Sequence, residues 1–425
     1  MNRKQLFILL VLVVVLGIAG LVVYQRNQTS WQGGGRQGAA LKLLGDLPVN
    51  DVAAIVIKGG TNQLDLVKKD GLWRVKQRNE YPANFSESPG DGRPSISGFL
   101  LKAADLKAVQ TEEIGPSQLG RYKLLPPGPA TNTAVLVELR DQNGKVIKSL
   151  LLGKTHMRKS EGRPSPMGEM GDNEGWPDGR YVMVGTGAKT VAVVSDPLSN
   201  LEAKPDQWLN KDFFKVEKIR LIAVAYPVAT NSWKVTRETE ATSDWKLAEA
   251  KAGEQLDSSK TSSFSYALNS PSFNDVLPAD TKPEQTGLDK PTVITLDTFD
   301  NFTYTLKVGQ KTNDNLPMVV AVTAQLPKER TPGKDEKPED KARLDKEFKE
   351  QQKKFEDKLS QEKGFEKWVY LVSNWTVDSL LKDRAQLLVE KKEEPKKDEK
   401  PAATNSSKTE ESPALPTEPE PDEKQ

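Results

Sequence analysis

The stretch VAAIVI at Val52 to Ile57 returns as VEKIRL at Val216 to Leu221, keeping the apolar pairs Val52/Val216, Ile55/Ile219 and Ile57/Leu221. More echoes follow in the same order. Trp73-Arg74-Val75 is answered by Trp245-Lys246-Leu247, Leu101/Leu106/Val109 by Leu268/Phe273/Val276, and LVEL ahead of Asp141 by VITL ahead of Thr298. Leu150-Leu151-Leu152-Gly153 returns as Leu306-Lys307-Val308-Gly309, and Leu201 with Gln207-Trp208-Leu209 as Leu380 with Gln386-Leu387-Leu388. Matches in one order imply one architecture used twice. Their spacings drift by insertions, so the copies are divergent.

The chain has 425 residues, enough for two cores of ordinary domain size. Its 61 basic and 60 acidic side chains nearly cancel, and neither copy holds a basic block, which argues against a nucleic-acid partner. The absence of cysteine excludes disulfides, thiol catalysis and thiolate metal sites. Leu6 to Val23 is an uncharged apolar run, just long enough to cross a bilayer, and lacks a good small-x-small cleavage site. With Arg3 and Lys4 before it, it is expected to be a retained single-pass anchor with a cytoplasmic stub at 1–5. The polar, glycine-rich residues 24–40 read as a flexible stalk.

Within the first copy, VAAIVIKG, QLDLVKKDG and LWRVKQ alternate apolar and polar positions and are split by turn residues, which predicts a three-stranded meander. Ile96 to Val109 has helical spacing, TAVLVELRD and KVIKSLLLG form a hairpin, and RYVMVG and TVAVVS precede a helix from about Asp196 to Leu209. The second copy follows with SWKVTRE and WKLAEA, a helix over Phe264 to Val276, the hairpin PTVITLDTF and FTYTLKVG, then WVYLVS and Val377 to Val389. The expected fold class is α+β: two tandem antiparallel-sheet-plus-helix domains, at 41–211 and 212–390, behind the transmembrane helix. Two long loops, Thr155 to Gly179 and the charged insertion 327–366, are expected at equivalent corners. In the insertion, Leu344, Phe348, Phe355 and Leu359 fall on one stripe of a helix over about Lys341 to Gln361. It either lies on its own domain or binds a partner. Residues 391–425 are too polar to bury a core and are expected to be disordered.

Catalytic signals are weak. His156 opens the first long loop without a second histidine, so it reads as a solvated side chain. Gly153-Lys154-Thr155 lacks the earlier glycine of a phosphate loop, and Gly185 to Thr190 reads as a hairpin turn. Asp141 and Asp297 sit before turns, where aspartate bonds locally. Trp73 and Trp245, at matched positions, are expected in the cores, with sugar stacking as the alternative. No catalytic residue, metal ligand or cofactor is expected.

The apolar N-terminus, KLLGDLPVNDVAAIVIKG, GLWRVKQRNEYPAN and FLLKAADLKAVQ together resemble the bacterial family called domain of unknown function 4340, strongly over 41–211 and more weakly in the second copy. Members of that family resemble envelope proteins encoded beside ABC-type permeases and gliding-motility transport components. The resemblance thus implies a non-enzymatic accessory or scaffolding subunit of an ABC-type export assembly, partnered by a permease or other envelope protein. It implies a bacterial inner-membrane location with the bulk periplasmic. The alternative is an envelope polysaccharide-binding protein or glycoside hydrolase.

Overall fold

In β1 (Ala54–Gly59), Ile55 and Ile57 are fully buried, and they lie opposite Leu66 and Leu64 of β2 (Asn62–Lys69) in an antiparallel pair. The computed structural model describes residues 42–389 apart from 88, 89, 91, 159–175, 334 and 335. Asp70 and Gly71, both at positive φ, turn the chain from β2 into β3 (Leu72–Val75), which pairs with β4 (Tyr81–Pro82). Helix α1 (Ile96–Asp105) starts where the Ser95 hydroxyl accepts from Gly98 N at 3.1 Å. It buries Ile96, Phe99, Leu100 and Ala103, one face at helical spacing. Strands β5 (Ala108–Glu113), β6 (Val135–Arg140), β7 (Val146–Arg158), β8 (Trp176–Val184) and β9 (Thr190–Val194) complete the sheet. Its order is β4-β3-β2-β1-β6-β7-β8-β9-β5.

The second sheet repeats this plan with β10 (Ile219–Ala225), β11 (Trp233–Thr236), β12 (Lys246–Leu247), β13 (Asp275–Val276), β14 (Thr292–Thr298), β15 (Phe302–Val308), β16 (Asn315–Ala324) and β17 (Tyr370–Ser373). Its order, β12-β11-β10-β14-β15-β16-β17-β13, corresponds strand for strand to β3-β2-β1-β6-β7-β8-β9-β5. The likeness reaches single contacts. The bridge Ala83 to Leu209 recurs as Leu256 to Leu388, and each copy closes on a 3-10 turn, Pro205–Trp208 or Arg384–Leu387. Where the copies differ, burial explains it. Leu150-Leu151-Leu152 does not alternate because both faces of β7 are covered, Leu151 joining a satellite cluster with Leu124, Leu136 and Met183. In β15 only Phe302, Tyr304, Leu306 and Val308 are buried, so its other residues are polar. Both sheets lie in one compact unit that ends at Leu388, and the main buried cluster runs through both.

Several expectations need correction. The span at Leu6–Val23, the stalk and the tail from Lys391 lie outside the described residues. Among the described residues no helix is long and apolar enough to cross a membrane. The longest, α4 (Pro338–Lys363), has the length but carries charges on every turn, while α1 is apolar but ten residues long. The fold class is therefore corrected to two antiparallel sheets with associated helices. The single-span membrane partnership and inner-membrane location have no helix here to support them and are withdrawn.

The helices are also shorter than their spacing suggests. Between Phe264 and Val276, Leu268 adopts φ +60° and Pro271 follows, which leaves a 3-10 turn at Phe264–Tyr266, with the short α2 (Ser258–Thr261) before the segment and α3 (Pro283–Thr286) after it. The segment after Asp196 is irregular around Leu198, also at positive φ, as far as the 3-10 turn Pro205–Trp208, and Val377 to Val389 holds the end of α5 (Asn374–Val377) and a 3-10 turn. The two long loops do not share a corner. Residues 159–175 connect β7 to β8, whereas the charged insertion connects β16 to β17, the counterparts of β8 and β9. Successive connections of an antiparallel meander leave from opposite ends of the sheet.

Candidate functional site

Helix α4 forms one wall of an open surface trough. Glu339 and Asp340 in its first turn and Lys363 in its last suit the helix dipole. Arg330 pairs with Glu336 and with Asp345 at 2.7 Å, tying the preceding loop to the helix. At the other end Glu362, only 5% exposed, accepts from Lys215 N at 3.0 Å and from the Tyr304 hydroxyl at 2.8 Å. Of the stripe, Phe355 and Leu359 pack on the core, Phe355 edge-on to Phe302 at 5.8 Å, while Leu344 and Phe348 are half-buried nearer the N-terminus.

Burial raises the Glu362 carboxyl above the usual carboxylate range, against the pull of Lys215 N, Tyr304 and Lys358. When protonated it can donate to the Tyr304 oxygen, whose own proton turns to Lys215 O at 3.1 Å. In the window between the ordinary and the raised pKa the folded chain binds more protons than the unfolded one. Stability from this group is thus greatest below the ordinary value and falls as pH rises through the window. Glu362→Gln keeps an acceptor for Lys215 N and a donor for Tyr304, so it is expected to flatten that part of the stability-versus-pH curve, measured by denaturant midpoints.

Between α4 and the second sheet runs an open trough of about 1030 Å³. Five segments build it: 216–218, the 237–243 loop, 262–269, Asp300 in the turn after β14, and one face of α4. Arg237, 6% exposed, holds the loop by donating to the carbonyls of Ile219 at 2.6 Å and of Glu240 and Thr242 at 3.0 Å. Its guanidinium lies over Trp245 and Phe299, and burial lowers its pKa. Thr242, Ser243, Ser262, Ser265 and Asn269 supply hydroxyls and an amide, and Tyr266 stands 74% exposed at the rim. Five carboxylates, Glu217, Glu240, Asp300, Glu347 and Glu350, face three cations, Lys218, Arg237 and Lys354. Across the Gln351 and Phe355 ridge lies a second pocket of about 200 Å³, walled by Phe299, Leu326, Pro327, Phe348 and Phe355.

The trough brings Phe355 to the site, and the small pocket brings Phe348 and Phe355; neither lining includes Leu344 or Leu359. Sequence reasoning missed Arg237 and Tyr266, which carry no local motif. It also misplaced His156, which lies on β7 with Nδ1 2.7 Å from Asp178 on β8 and its ring edge-on to Tyr181. That pair clips two strands, and the partner is 22 residues away in sequence. Trp73 and Trp245 are buried, which removes them as sugar platforms. Asp141 Oδ1 accepts from Asn143 N and Lys145 N, and Asp297 from the Thr303 hydroxyl, local roles in turns and pairing. Among the described residues no group of three histidine, cysteine, aspartate or glutamate side chains could hold a metal.

No curated protein and no solved structure matches the chain. The export-accessory role with its permease partner, and the polysaccharide-binding or hydrolase alternative, therefore rest on no relative and no motif, and both are withdrawn. One family model does match, and it straddles the copies, running from the approach to β8 in the first to the approach to β14 in the second. Residues 169–291 thus carry a domain of the family described as Domain of unknown function (DUF4340).

Proposed function

We propose that the protein is a non-enzymatic binding protein that takes an extended polypeptide segment in the trough beside α4. The observation that carries this reading is the shape and chemistry of the trough. Small-molecule sites enclose most of their ligand within roughly 300–1,000 Å³. This cavity is at the top of that range and open to solvent, with a lining drawn from five chain segments, so it suits a ligand larger than a small molecule that makes many contacts. Its hydroxyls both donate and accept, as main-chain amides require, and Tyr266 offers a rigid amphipathic contact.

Panning a displayed random-peptide library against the full chain tests this. Peptides are expected to be recovered, to lose about tenfold in affinity on Tyr266→Ala, and to be excluded by Ser265→Trp, which fills the trough. Recovery of no peptide, or of peptides indifferent to Ser265→Trp, would refute it.

A further inference from the structure

We infer that the segment taken by the trough is rich in lysine or arginine and carries one large apolar side chain, which seats in the small pocket beside Phe348. This rests on the polypeptide-binding reading and names the partner's chemistry. The trough's lining is acidic on balance, five carboxylates to three cations, and two of those cations, Lys218 and Arg237, are engaged inward while Lys354 stands exposed on α4. Lys218 is 3.3 Å from Asp300 and 3.9 Å from Glu240, and Arg237 is turned onto carbonyls of its own loop. On the α4 wall, Glu347 and Glu350 are exposed, paired only along their own helix with Arg343 at 2.9 Å and Lys346 at 3.8 Å. Exposed pairs of this kind contribute little, so their carboxylates can turn to an incoming cation at small cost.

The small pocket supplies the other half of the motif. At about 200 Å³ it is below the size of a small-molecule site, and three phenylalanines, a leucine and a proline line it together with Asp300, Asn301, Gln351 and Gln352. Such a cavity matches a single anchoring side chain of the kind that dominates binding energy. It shares Asp300, Gln351 and Phe355 with the trough, so a residue seated there has its chain neighbours among the carboxylates.

Fluorescence anisotropy on the full chain tests this with a labelled peptide of alternating lysine and serine bearing one central phenylalanine. Replacing that phenylalanine by alanine is expected to weaken binding roughly tenfold or more. Phe348→Ala should weaken the phenylalanine peptide to the level of the alanine one, and Phe348→Trp, which fills the pocket without opening a void, should do the same. Glu347→Gln with Glu350→Gln should weaken both lysine peptides and reduce their salt dependence. If glutamate-serine or serine-only peptides bind as well as the lysine ones and are displaced by Ser265→Trp, this inference is overturned while the polypeptide reading stands. Self-association of the chain that competes with the peptide would place a second copy in the trough and overturn it too. If no peptide of any composition responds to Ser265→Trp, both fail.

Discussion

Gly309→Ala is expected to destabilise the protein by about 3 kcal/mol or more, and Gly153→Ala by a similar amount. A Cβ at Gly309 would lie 2.1 Å from the Thr286 carbonyl oxygen, and one at Gly153 would lie 2.4 Å from that of Tyr122 and 2.8 Å from the Leu124 side chain. In both copies the next residue donates to that same carbonyl: Gln310 N to Thr286 O and Lys154 N to Tyr122 O, each at 2.8 Å. The added methyl group thus meets backbone held by a hydrogen bond, not a side chain that can swing away. Relief requires moving the crossing segment and breaking the bond, which adds about 1 kcal/mol to the overpacking. Gly187→Ala is the control, since nothing lies within 4 Å of its added carbon. Denaturant midpoints read the result. Equal costs at the three positions would show that the crossing segments do not press on these strands.

These glycines also show how far the sequence could be read. The pairing of LLLG with LKVG is visible as letters, and so is the order of apolar strands, because buried residues alternate where one face of a sheet is covered, as in β2 and β15, though not in β7, which is covered on both faces. What demands the glycine is not visible, since Tyr122 and Thr286 reach it from segments more than twenty residues away. β16 escaped for a similar reason. Pro317 inside an apolar run argues against a central strand, yet its carbonyl accepts from Gly309 N and the strand forms around it. The α4 stripe was legible as a helix face, but its partners Phe299, Phe302 and Leu326 are fixed only by tertiary packing. The trough is hardest to read, because its lining comes from five segments whose nearness depends on the second sheet being complete.

Tyr81→Ala is expected to cost about 3–5 kcal/mol and, combined with Arg78→Ala, to split unfolding into two transitions. Tyr81 belongs to β4, at the edge of the first sheet, and is 1% exposed, with aromatic side chains of the second copy packed around it. Its ring meets Trp368 at 4.8 Å, Phe273 at 5.7 Å and Tyr370 at 6.0 Å, all edge-on. Burial pushes the Tyr81 and Tyr370 phenols up, consistent with a dry contact. Around this cluster, Arg78 forks onto both oxygens of Asp275 at 2.7 and 2.8 Å, and Trp368 Nε1 donates to Asn79 O at 2.9 Å. Each sheet has its own strand ladder, so removing the Tyr81 ring and the Arg78 fork weakens the coupling between halves more than either half. Differential scanning calorimetry of the wild type should then show one transition and the double variant two. A single transition, merely shifted downward, would mean that neither half folds without the other; the peptide trough would then depend on the first copy even though no residue of that copy lines it.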